Sequence, residues 1–514
     1  MRERVTSVMP YLVTADIGTQ GTKAAIVGAN GQVAGTAFRP SRLIRGARGS
    51  VEQDPEEMFR SVIEGIREAL EASGVSGGEV AAIGLDGQMA GILGIDREGN
   101  AVTPYDSWLD TRCESAMPEI RAWGEKEVIR LTGAPVTYAH GPKKLWWRNE
   151  RPDVYRRIAK FVVPSAFVAG RLAGLSADEA FVDYTHLHFT GFADANGNRW
   201  SPELIRAFGL DADKLPRIVN PWDVVGYLTP EYAALTGLAA GTPIVAGCGD
   251  TAAASLGGGL VRPGQLLDIA GTASVLACGV DHYSPDVETK TLIFARSVIP
   301  GLWAPLAYIN GGGECLSWYR KLVGPDEAGA PSFDELNRMA ESVPPGSDGL
   351  LFVPHFGGSV CPNDADLRGA WLGLNWSHGK AAMYRSILES IAYEYRSYLD
   401  ILERLSGSIP YREVNAAGGG AKSELFNRIK ADVLGIPVRT LKSVDTTISG
   451  SAVIAGYGVG LFDDLAKTAE SFLAFGDVHE PTTEGRESYA APARRYRQAV
   501  EGLSALYGRL KGEA

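Results

Sequence analysis

The stretch that most constrains the fold is YLVTADIGTQGTK, residues 11–23. It begins as an apolar, β-prone run typical of a buried strand, and it ends in Asp16 and a turn of glycine, threonine and glutamine. An aspartate at a strand end most often caps the following turn. The amides and hydroxyls of Thr19, Gln20 and Thr22 also suit phosphate oxygens, and Asp16 is suited to hold Mg²⁺ through water. Both uses predict a strand that leads directly into a tight, polar turn.

The next hundred residues predict a mixed α/β sheet. The segment KAAIVGANGQVAGTAF indicates a second and a third strand joined by a turn at NGQ. A run with helical spacing of apolar residues, DPEEMFRSVIEGIREALEASG, follows and ends at Gly74. Strand character returns in EVAAIGLDGQMAGILGID. Strands, a crossover helix and a further strand are the order of an α/β domain.

A related order recurs in the second half of the chain, which predicts a duplicated domain. The Asp-Ile-Ala-Gly-Thr of the segment GQLLDIAGTASVLACG resembles the Asp-Ile-Gly-Thr of the first strand, and a long helix, the strand EVNAA and the helix KSELFNRIKADVLG follow it. A chain of 514 residues exceeds what one hydrophobic core usually supports. We therefore expect domains over residues 10–259 and 260–497, and a C-terminal helix or tail over residues 498–514.

Composition excludes several classes of partner. Fifty basic and 61 acidic side chains give a net charge of −11, and no cluster of lysine and arginine predicts nucleic acid or an anionic membrane as partner. No apolar run is long enough to span a bilayer, and the first ten residues do not resemble a secretory signal. The five scattered cysteines are typical of reduced core thiols. We expect a cytoplasmic protein that binds small molecules; the sequence leaves monomer and homodimer open.

A glycine-rich loop predicts a second binding element. The segment GGGAKSELFNRIK follows the strand EVNAA and opens a helix. Three consecutive glycines allow close approach of a ligand to the backbone, and a helix N-terminus favours an anion or a nucleotide. The structural alternative is a turn capped by Ser423. The preceding strand and the following amphipathic helix favour the binding interpretation.

A rival interpretation arises from VAGCGDTAAASLGGG. Gly247-x-Gly249-x-x-Ala252 fits a degenerate dinucleotide fingerprint, with Asp268 near the spacing of a ribose-binding acid, and predicts an NAD-dependent dehydrogenase. Asp250 would then lie inside the pyrophosphate loop and repel the ligand. An aspartate in such a segment is better suited to orient and deprotonate a hydroxyl.

Two further patterns carry less weight. No GxxxxGK[ST] segment occurs, which excludes a P-loop enzyme. His186 and His188, in THLHF, would share one face of a strand as a possible metal pair, but no third ligand is evident, and core or surface histidines are the more frequent case.

Taken together, these segments resemble the FGGY carbohydrate kinases, and within that family its xylulokinase-like members. The resemblance runs from about Leu12 to Arg497 and rests on ADIGTQGTK, GLDGQMAG, WLDTRC, KKLWW, GCGDTAAASLGGG, IAGTASV, GAWLGLNWSHGKAAMYRSILESIAY and GGGAKSELFNRIKADVLGIPV, in family order. It implies two duplicated actin-like ATPase (ribonuclease H-like) domains of α/β class with a cleft between them. It further implies ATP and Mg²⁺ as cofactors and a sugar or polyol as the acceptor.

The resemblance assigns the nucleotide and metal residues by position. Asp16 falls in the first phosphate motif, where it would hold Mg²⁺ through water. The residues implied to bind nucleotide are Thr19, Gln20, Thr22, Gly271, Thr272, Gly418, Gly419, Gly420, Ala421 and Asn427.

The resemblance also assigns the acceptor site. Asp250 falls on the catalytic base. The residues implied to bind the acceptor are Gln88, Met89, Trp108, Asp110, Arg112, Asp250 and Thr251. The activity implied is transfer of the γ-phosphate of ATP to a hydroxyl of a ketopentose or a related sugar or polyol. A polyol kinase, such as an erythritol or glycerol kinase, and a non-catalytic sugar-responsive binding protein are the alternatives on the same fold.

This chain departs from the family pattern at one pocket position. Xylulokinases usually have Gln-Met-His where this chain has Gln88-Met89-Ala90. The missing imidazole removes a polar contact to the sugar, so we expect acceptor specificity to differ from D-xylulose.

Overall fold

The computed structural model describes residues 10–324, 329–407, 409–442 and 445–512. The strands of its two large sheets are, in chain order, β1 (Tyr11–Ile17), β2 (Gly21–Gly28), β3 (Val33–Pro40), β4 (Val80–Gly87), β5 (Val224–Tyr227), β6 (Pro243–Val245), β7 (Cys248–Gly249), β8 (Gln265–Ala270), β9 (Ser274–Cys278), β10 (Ile293–Arg296), β11 (Trp303–Ile309), β12 (Glu413–Ala417), β13 (Val438–Leu441) and β14 (Phe475–His479).

The main helices surround these sheets. They are α1 (Pro55–Ser73), α2 (Met117–Thr132), α3 (His140–Glu150), α4 (Pro164–Ala173), α5 (Asp250–Gly257), α6 (Gly312–Val323), α7 (Phe333–Glu341), α8 (Lys380–Ser406), α9 (Glu424–Leu434), α10 (Thr446–Gly458), α11 (Leu465–Phe472) and α12 (Thr483–Gly512). None of the helices in the described ranges combines the length and apolar character that a membrane span needs.

Five central strands follow the same order in both sheets, β3-β2-β1-β4-β6 in the first and β11-β9-β8-β12-β13 in the second, which confirms the predicted duplication. The first runs β5-β6-β4-β1-β2-β3, with β7 beside β4, and the second runs β10-β11-β9-β8-β12-β13-β14. In the first, β1 lies antiparallel to β2 and parallel to β4. In the second, β8 lies antiparallel to β9 and parallel to β12. The Asp-Ile-Gly-Thr segment therefore lies at the end of the central strand of the first sheet, and the similar Asp-Ile-Ala-Gly-Thr segment lies at the end of the central strand of the second.

The described residues form two compact units. The first contains residues 10–261, 295–302 and 445–473, and the second contains the other described residues. The boundary expected near Leu260 lies beside the division after Val261, but residues 445–473 join the first unit although they were expected in the second domain. The physical reason is close packing of α10 on β4: a Cβ at Gly84 would lie 2.8 Å from the carbonyl oxygen of Ser451.

Local sequence explains the first unit's sheet and its covering helix. Alternate residues of β1 face opposite sides: Val13 packs against the side covered by α1, and Leu12 against the side covered by α5 and α10. Helix α1 begins after Asp54, whose side chain accepts a hydrogen bond from the amide of Glu56, and ends at Gly74 in the left-handed conformation. Both ends fall where the sequence predicts them.

A buried ion pair lies at the centre of the second sheet. The Asp268 carboxylate contacts the ammonium of Lys430 on α9, and both side chains are fully buried. The hydroxyl of Tyr395 donates a further hydrogen bond of 2.7 Å to Asp268. Because a buried charge needs such partners, Asp268 is committed to the core of the second unit. The five cysteines are buried and unpaired, as expected for core thiols.

Candidate active site

The turn after β1 joins the predicted phosphate and acceptor residues in one hydrogen-bond network. The Thr19 hydroxyl accepts a bond of 2.9 Å from the indole N–H of Trp108 and donates one of 3.1 Å to the side-chain oxygen of Gln88. The Gln88 amide donates in turn to Gln53 at 2.6 Å. This network holds the turn and one wall of the predicted acceptor pocket in a fixed relation.

Thr22 differs from its prediction. Its hydroxyl was expected to be exposed beside phosphate, but the side chain is buried and lies 2.6 Å from the hydroxyl of Ser61 on α1. The cause is the start of β2 at Gly21, which turns Thr22 toward the α1 side of the sheet. Gln20 is exposed in the turn as expected. Of the turn's predicted phosphate ligands, the backbone amides and the Gln20 side chain remain available, because the Thr19 hydroxyl already donates its proton to Gln88.

Asp110 and Arg112 contact each other. The Arg112 guanidinium lies 2.6 Å from Glu52, 2.8 Å from Asp106 and 2.8 Å from Asp110. Within the described residues, these three acids are the only set of three side-chain ligands close enough together to hold one metal ion. The guanidinium contacts all three carboxylates, so the cluster forms an ion network in the wall of the predicted acceptor pocket.

Asp250 is the first residue of α5 and has one uncommitted oxygen. Its Oδ1 accepts hydrogen bonds from the amide of Thr251 at 2.6 Å and from the Thr251 hydroxyl at 3.2 Å. The described residues give Oδ2 no hydrogen-bond partner, and part of the residue is exposed although its carboxyl group is largely enclosed by protein. Burial raises the pKa of Asp250 to about 6. A fixed carboxylate with one open oxygen and a raised pKa is suited to accept a proton from a hydroxyl near neutral pH.

Two further carboxylates lie near Asp250. Asp16 on β1 and Asp86 on β4 are direct neighbours in the parallel register, and both are electrostatically coupled to Asp250. Burial, followed by repulsion from Asp250, raises the pKa of Asp16 to about 7. Burial, followed by repulsion from Asp16, raises the pKa of Asp86 well above its usual value. The first unit therefore gathers three acids at the carboxyl edge of its sheet.

Asp86 is the residue that sequence reasoning missed. The signal was present in GLDGQMAG, where an aspartate ends a predicted strand as Asp16 does. Recognising it required the parallel pairing of β1 with β4, which sets the two aspartates side by side.

The predicted adenosine loop lies between two cavities of the second unit. Gly419 and Gly420, together with Gly271 and Thr272 of the second phosphate motif, line a cavity of about 530 Å³. Its other walls include apolar side chains of α6, α8 and α9. Gly418, Gly419, Ala421 and Asn427 line a second cavity of about 810 Å³. The structure thus brings the second phosphate motif and the glycine loop to one cavity of a size suited to a nucleotide base and sugar.

Each glycine of this loop has a different constraint. Gly418 has a φ of +83°, and a Cβ there would lie 2.7 Å from the carbonyl oxygen of Ala270. A Cβ at Gly420 would lie 2.5 Å from the side chain of Ala270, whereas at Gly419 the nearest atom is 4.0 Å away. The Asn427 amide supports the loop by donating 2.8 Å to the carbonyl of Ala421. A side chain at Gly419 would therefore enter ligand space without disturbing the protein.

The dehydrogenase interpretation is not supported by this geometry. Asp268, its expected ribose ligand, is the fully buried partner of Lys430 in the second unit, whereas Gly247 and Gly249 belong to the first unit. A fully buried, ion-paired aspartate cannot bind a ribose.

The histidine prediction was wrong in its local structure. His186 and His188 lie in a 3-10 helix, Tyr184–Phe189, and so do not share a strand face. Both are fully buried near His140, whose ring stacks on that of His186 with centroids 6.0 Å apart. Burial lowers the pKa of His188 to about 3, so it is a neutral core residue.

Comparison with known proteins agrees with the α/β fold. Residues 11–257 match the N-terminal domain, and residues 269–459 the C-terminal domain, of the FGGY family of carbohydrate kinases. The chain is 27% identical to a xylulose kinase of Bacillus subtilis, over 94% of this chain and 95% of the relative. It is 30% identical to an autoinducer-2 kinase of Enterobacter, over 96% of this chain and 94% of the relative.

A solved structure extends this similarity to three dimensions. The xylulose kinase from Rhodospirillum rubrum has a TM-score of 0.87 and 28% identity, over 97% of this chain and 100% of that one. The chain therefore belongs to the FGGY family of carbohydrate kinases and has its two-domain, actin-like α/β fold. It is an ATP-dependent sugar kinase. Nothing in these comparisons supports a dehydrogenase.

The space around Gly419 yields a direct test of the glycine loop. Gly419→Val should raise the KM for ATP at least about tenfold, because the side chain would occupy the cavity that close nucleotide approach requires. The KM for the acceptor should change little. Steady-state kinetics with each substrate varied in turn measures both, and Gly357→Val, at an exposed glycine with open space around it, is the matched control. An unchanged ATP affinity in folded Gly419→Val protein would remove this loop from the nucleotide site.

Proposed function

We propose that this kinase transfers the γ-phosphate of ATP to a hydroxyl of a ketopentose or a related sugar or polyol, with Asp250 as the catalytic base. The observation that carries the proposal is the geometry of Asp250. Its backbone begins a helix, Oδ1 is fixed by Thr251, and Oδ2 is left to meet a hydroxyl. In phosphoryl transfer most of the catalysis is positioning and charge stabilisation, and this arrangement supplies the positioning.

The acceptor lies, in this proposal, against Gln88, Met89 and Trp108. Met89 packs so closely on the residue before the base that a Cβ at Gly249 would lie 2.4 Å from its sulfur. Asp110 and Arg112 shape the same wall, and their mutual ion pairs hold them in place. Because the Thr19 network ties Gln88 to Trp108, this wall is preorganised.

Nucleotide binding is proposed at the elements that resemble the family's phosphate and adenosine motifs. In the second unit these are Gly271, Thr272 and the loop from Gly418 to Ala421, supported by Asn427. In the first unit the turn at Thr19 and Gln20 offers amides to phosphate oxygens. Backbone amides at such turns stabilise the transferring phosphoryl group without reorganisation.

The residues present fit Mg²⁺ at Asp16. No donor group of the described residues bonds to the buried Oδ1 of Asp16, as expected for an oxygen whose natural ligand is a cation or its water. When bound, Mg²⁺ neutralises charge on the phosphates of ATP. The role of Asp16 is to hold that charge at the end of β1 beside the phosphate turn.

Overall sequence identity to relatives does not indicate which acceptor this kinase uses. Relatives of similar identity are named for xylulose and for autoinducer-2. Ala90 is the local clue: it is half-buried directly after Gln88 and Met89, and its φ is +62°. That backbone region tolerates histidine and asparagine better than branched side chains, so the loop conformation itself is compatible with the histidine of xylulokinases.

Replacing Asp250 by Asn tests the proposed base. The amide keeps the size and an oxygen for the Thr251 contacts but cannot accept the proton, so kcat should fall by roughly 10²- to 10⁴-fold while acceptor binding largely survives. An ATP-consumption assay with the best acceptor and calorimetric acceptor titration measure these effects. Asp194→Asn, at a carboxylate that caps a surface turn in the same unit, is the control. Near-normal kcat in Asp250→Asn would exclude Asp250 as the base.

Ala90 allows acceptor choice to be tested. We expect D-xylulose to be a poor or secondary substrate in a panel of pentuloses, tetritols and glycerol. Ala90→His should shift the kcat/KM ratio toward D-xylulose by about 5- to 150-fold, since one paired polar contact contributes roughly 1 to 3 kcal/mol of selection. Ala90→Gly relaxes the backbone without adding a donor and serves as the control. If D-xylulose leads the panel by a wide margin in the unmodified enzyme, the argument from Ala90 fails.

A further inference from the structure

Asp86 is a buried acid that the proposed mechanism leaves unused. It lies at the carboxyl end of β4, directly beside Asp16 of β1 in the parallel register. In a parallel sheet, paired residues project to the same face, so the two carboxylates share one surface of the first unit. That surface is the side covered by α5 and α10.

The hydrogen bonds of this pair are incomplete in a specific way. The Ser451 hydroxyl of α10 bonds to Oδ2 of Asp86. Oδ1 of Asp86 and Oδ1 of Asp16 are both buried, and no donor group of the described residues bonds to either, although Asp86 is 0% exposed. The two carboxyl groups lie within hydrogen-bonding reach of each other, which requires a proton between them. Because buried polar atoms in folded proteins are nearly always satisfied, the pair needs either that shared proton or a cation.

The ammonium of the neighbouring Lys23 does not bond to either of these oxygens. Lys23 pairs with Asp16 across β1 and β2, but its ammonium contacts Asp445 before α10. In the corresponding strand of the second sheet, a lysine neutralises the aspartate instead. There Asp268 occupies the position of Asp16, its parallel neighbour is Ala416, and Lys430 neutralises it from within the core. The first sheet has a second acid where the second sheet has an alanine.

We propose that Asp86 and Asp16 together form a divalent-cation site that the protein offers before nucleotide binds. Hard cations such as Mg²⁺ and Mn²⁺ take carboxylate oxygens, and Mg²⁺ sites commonly use one or two protein carboxylates with phosphate completing the set. Asp86 is then the second protein carboxylate of the site, and Ser451 orients it. This inference rests on the proposed place of Mg²⁺ at Asp16 and extends it to a residue outside the phosphate turn.

Cation binding by the nucleotide-free enzyme tests the proposal without using activity. Mn²⁺ is titrated into the full chain in the absence of ATP, and free Mn²⁺ is followed by electron paramagnetic resonance. The wild-type protein should bind one Mn²⁺ that Mg²⁺ displaces. Asp86→Asn should weaken binding by at least about tenfold, the loss typical when a group that supports a metal site is removed.

Two further variants make the result decisive. Asp106→Asn removes a buried acid from the Glu52, Asp106 and Asp110 cluster and should leave Mn²⁺ affinity unchanged. Asp86→Ser replaces Asp86→Asn if the amide variant does not fold. The proposal is overturned if the wild-type protein binds no Mn²⁺ without nucleotide, if the folded Asp86 variant binds it normally, or if Asp106→Asn abolishes binding.

The assay also separates this inference from the proposed function. Mn²⁺ binding that depends on Asp86, in a protein that phosphorylates no acceptor of the panel, would establish the cation site and contradict the proposed acceptors. An active kinase whose nucleotide-free form binds Mn²⁺ independently of Asp86 would keep the function and contradict the cation site.

Discussion

The first unit depends on one electrostatic constraint: three aspartates converge where the central strands of its sheet end. Burial raises the pKa of Asp16, Asp86 and Asp250, and repulsion by a neighbouring acid raises the pKa of Asp16 and of Asp86 further. The surrounding elements hold this arrangement. Helix α10 supplies Ser451 to Asp86, and the Thr251 amide and hydroxyl fix Asp250 at the start of α5. An acid cluster of this kind costs stability, which is characteristic of chemical sites more than of cores.

The second unit has a similar sheet but no such cluster of three aspartates among its described residues. Asp268 lies near the end of the equivalent central strand. Its buried carboxylate forms an ion pair with Lys430 and accepts a hydrogen bond from Tyr395, so its charge is compensated. The glycine loop beyond β12 instead leaves open cavities on both sides. One duplicated scaffold therefore carries two different sites: the first sheet gathers negative charge, to which we assign the proposed proton and cation chemistry, and the second unit has glycine-lined cavities, to which we assign the nucleotide.

Much of this fold was predictable because its strongest signals are local. The strand endings at Asp16 and Asp268, the caps of α1 and the glycine loop are each set by neighbouring residues. Asp250 could be identified because a charge inside a glycine-lined segment conflicts with the dinucleotide alternative. The fold class was implied by the resemblance, and the common strand order of the two sheets confirms the duplication.

What escaped prediction depends on contacts between distant segments. Asp86 becomes a neighbour of Asp16 only through the register of β1 and β4. Arg112 forms ion pairs with Glu52 and Asp106, which lie in two separate strands. Thr22 turned inward because β2 begins at Gly21, two residues before the predicted start at Lys23. Residues 445–473 joined the first unit through the packing of α10, which local periodicity does not encode.

The pH dependence of kcat/KM for the acceptor, at saturating ATP and Mg²⁺, tests the central claim that a desolvated Asp250 is the base. Because burial raises its pKa to about 6, protonation below that value removes the only form that accepts the hydroxyl proton. The account predicts that log kcat/KM rises with a slope of about one below pH 6 and levels off above it. A profile that stays flat down to about pH 5 would show that no group with this pKa is needed for transfer and would contradict the account.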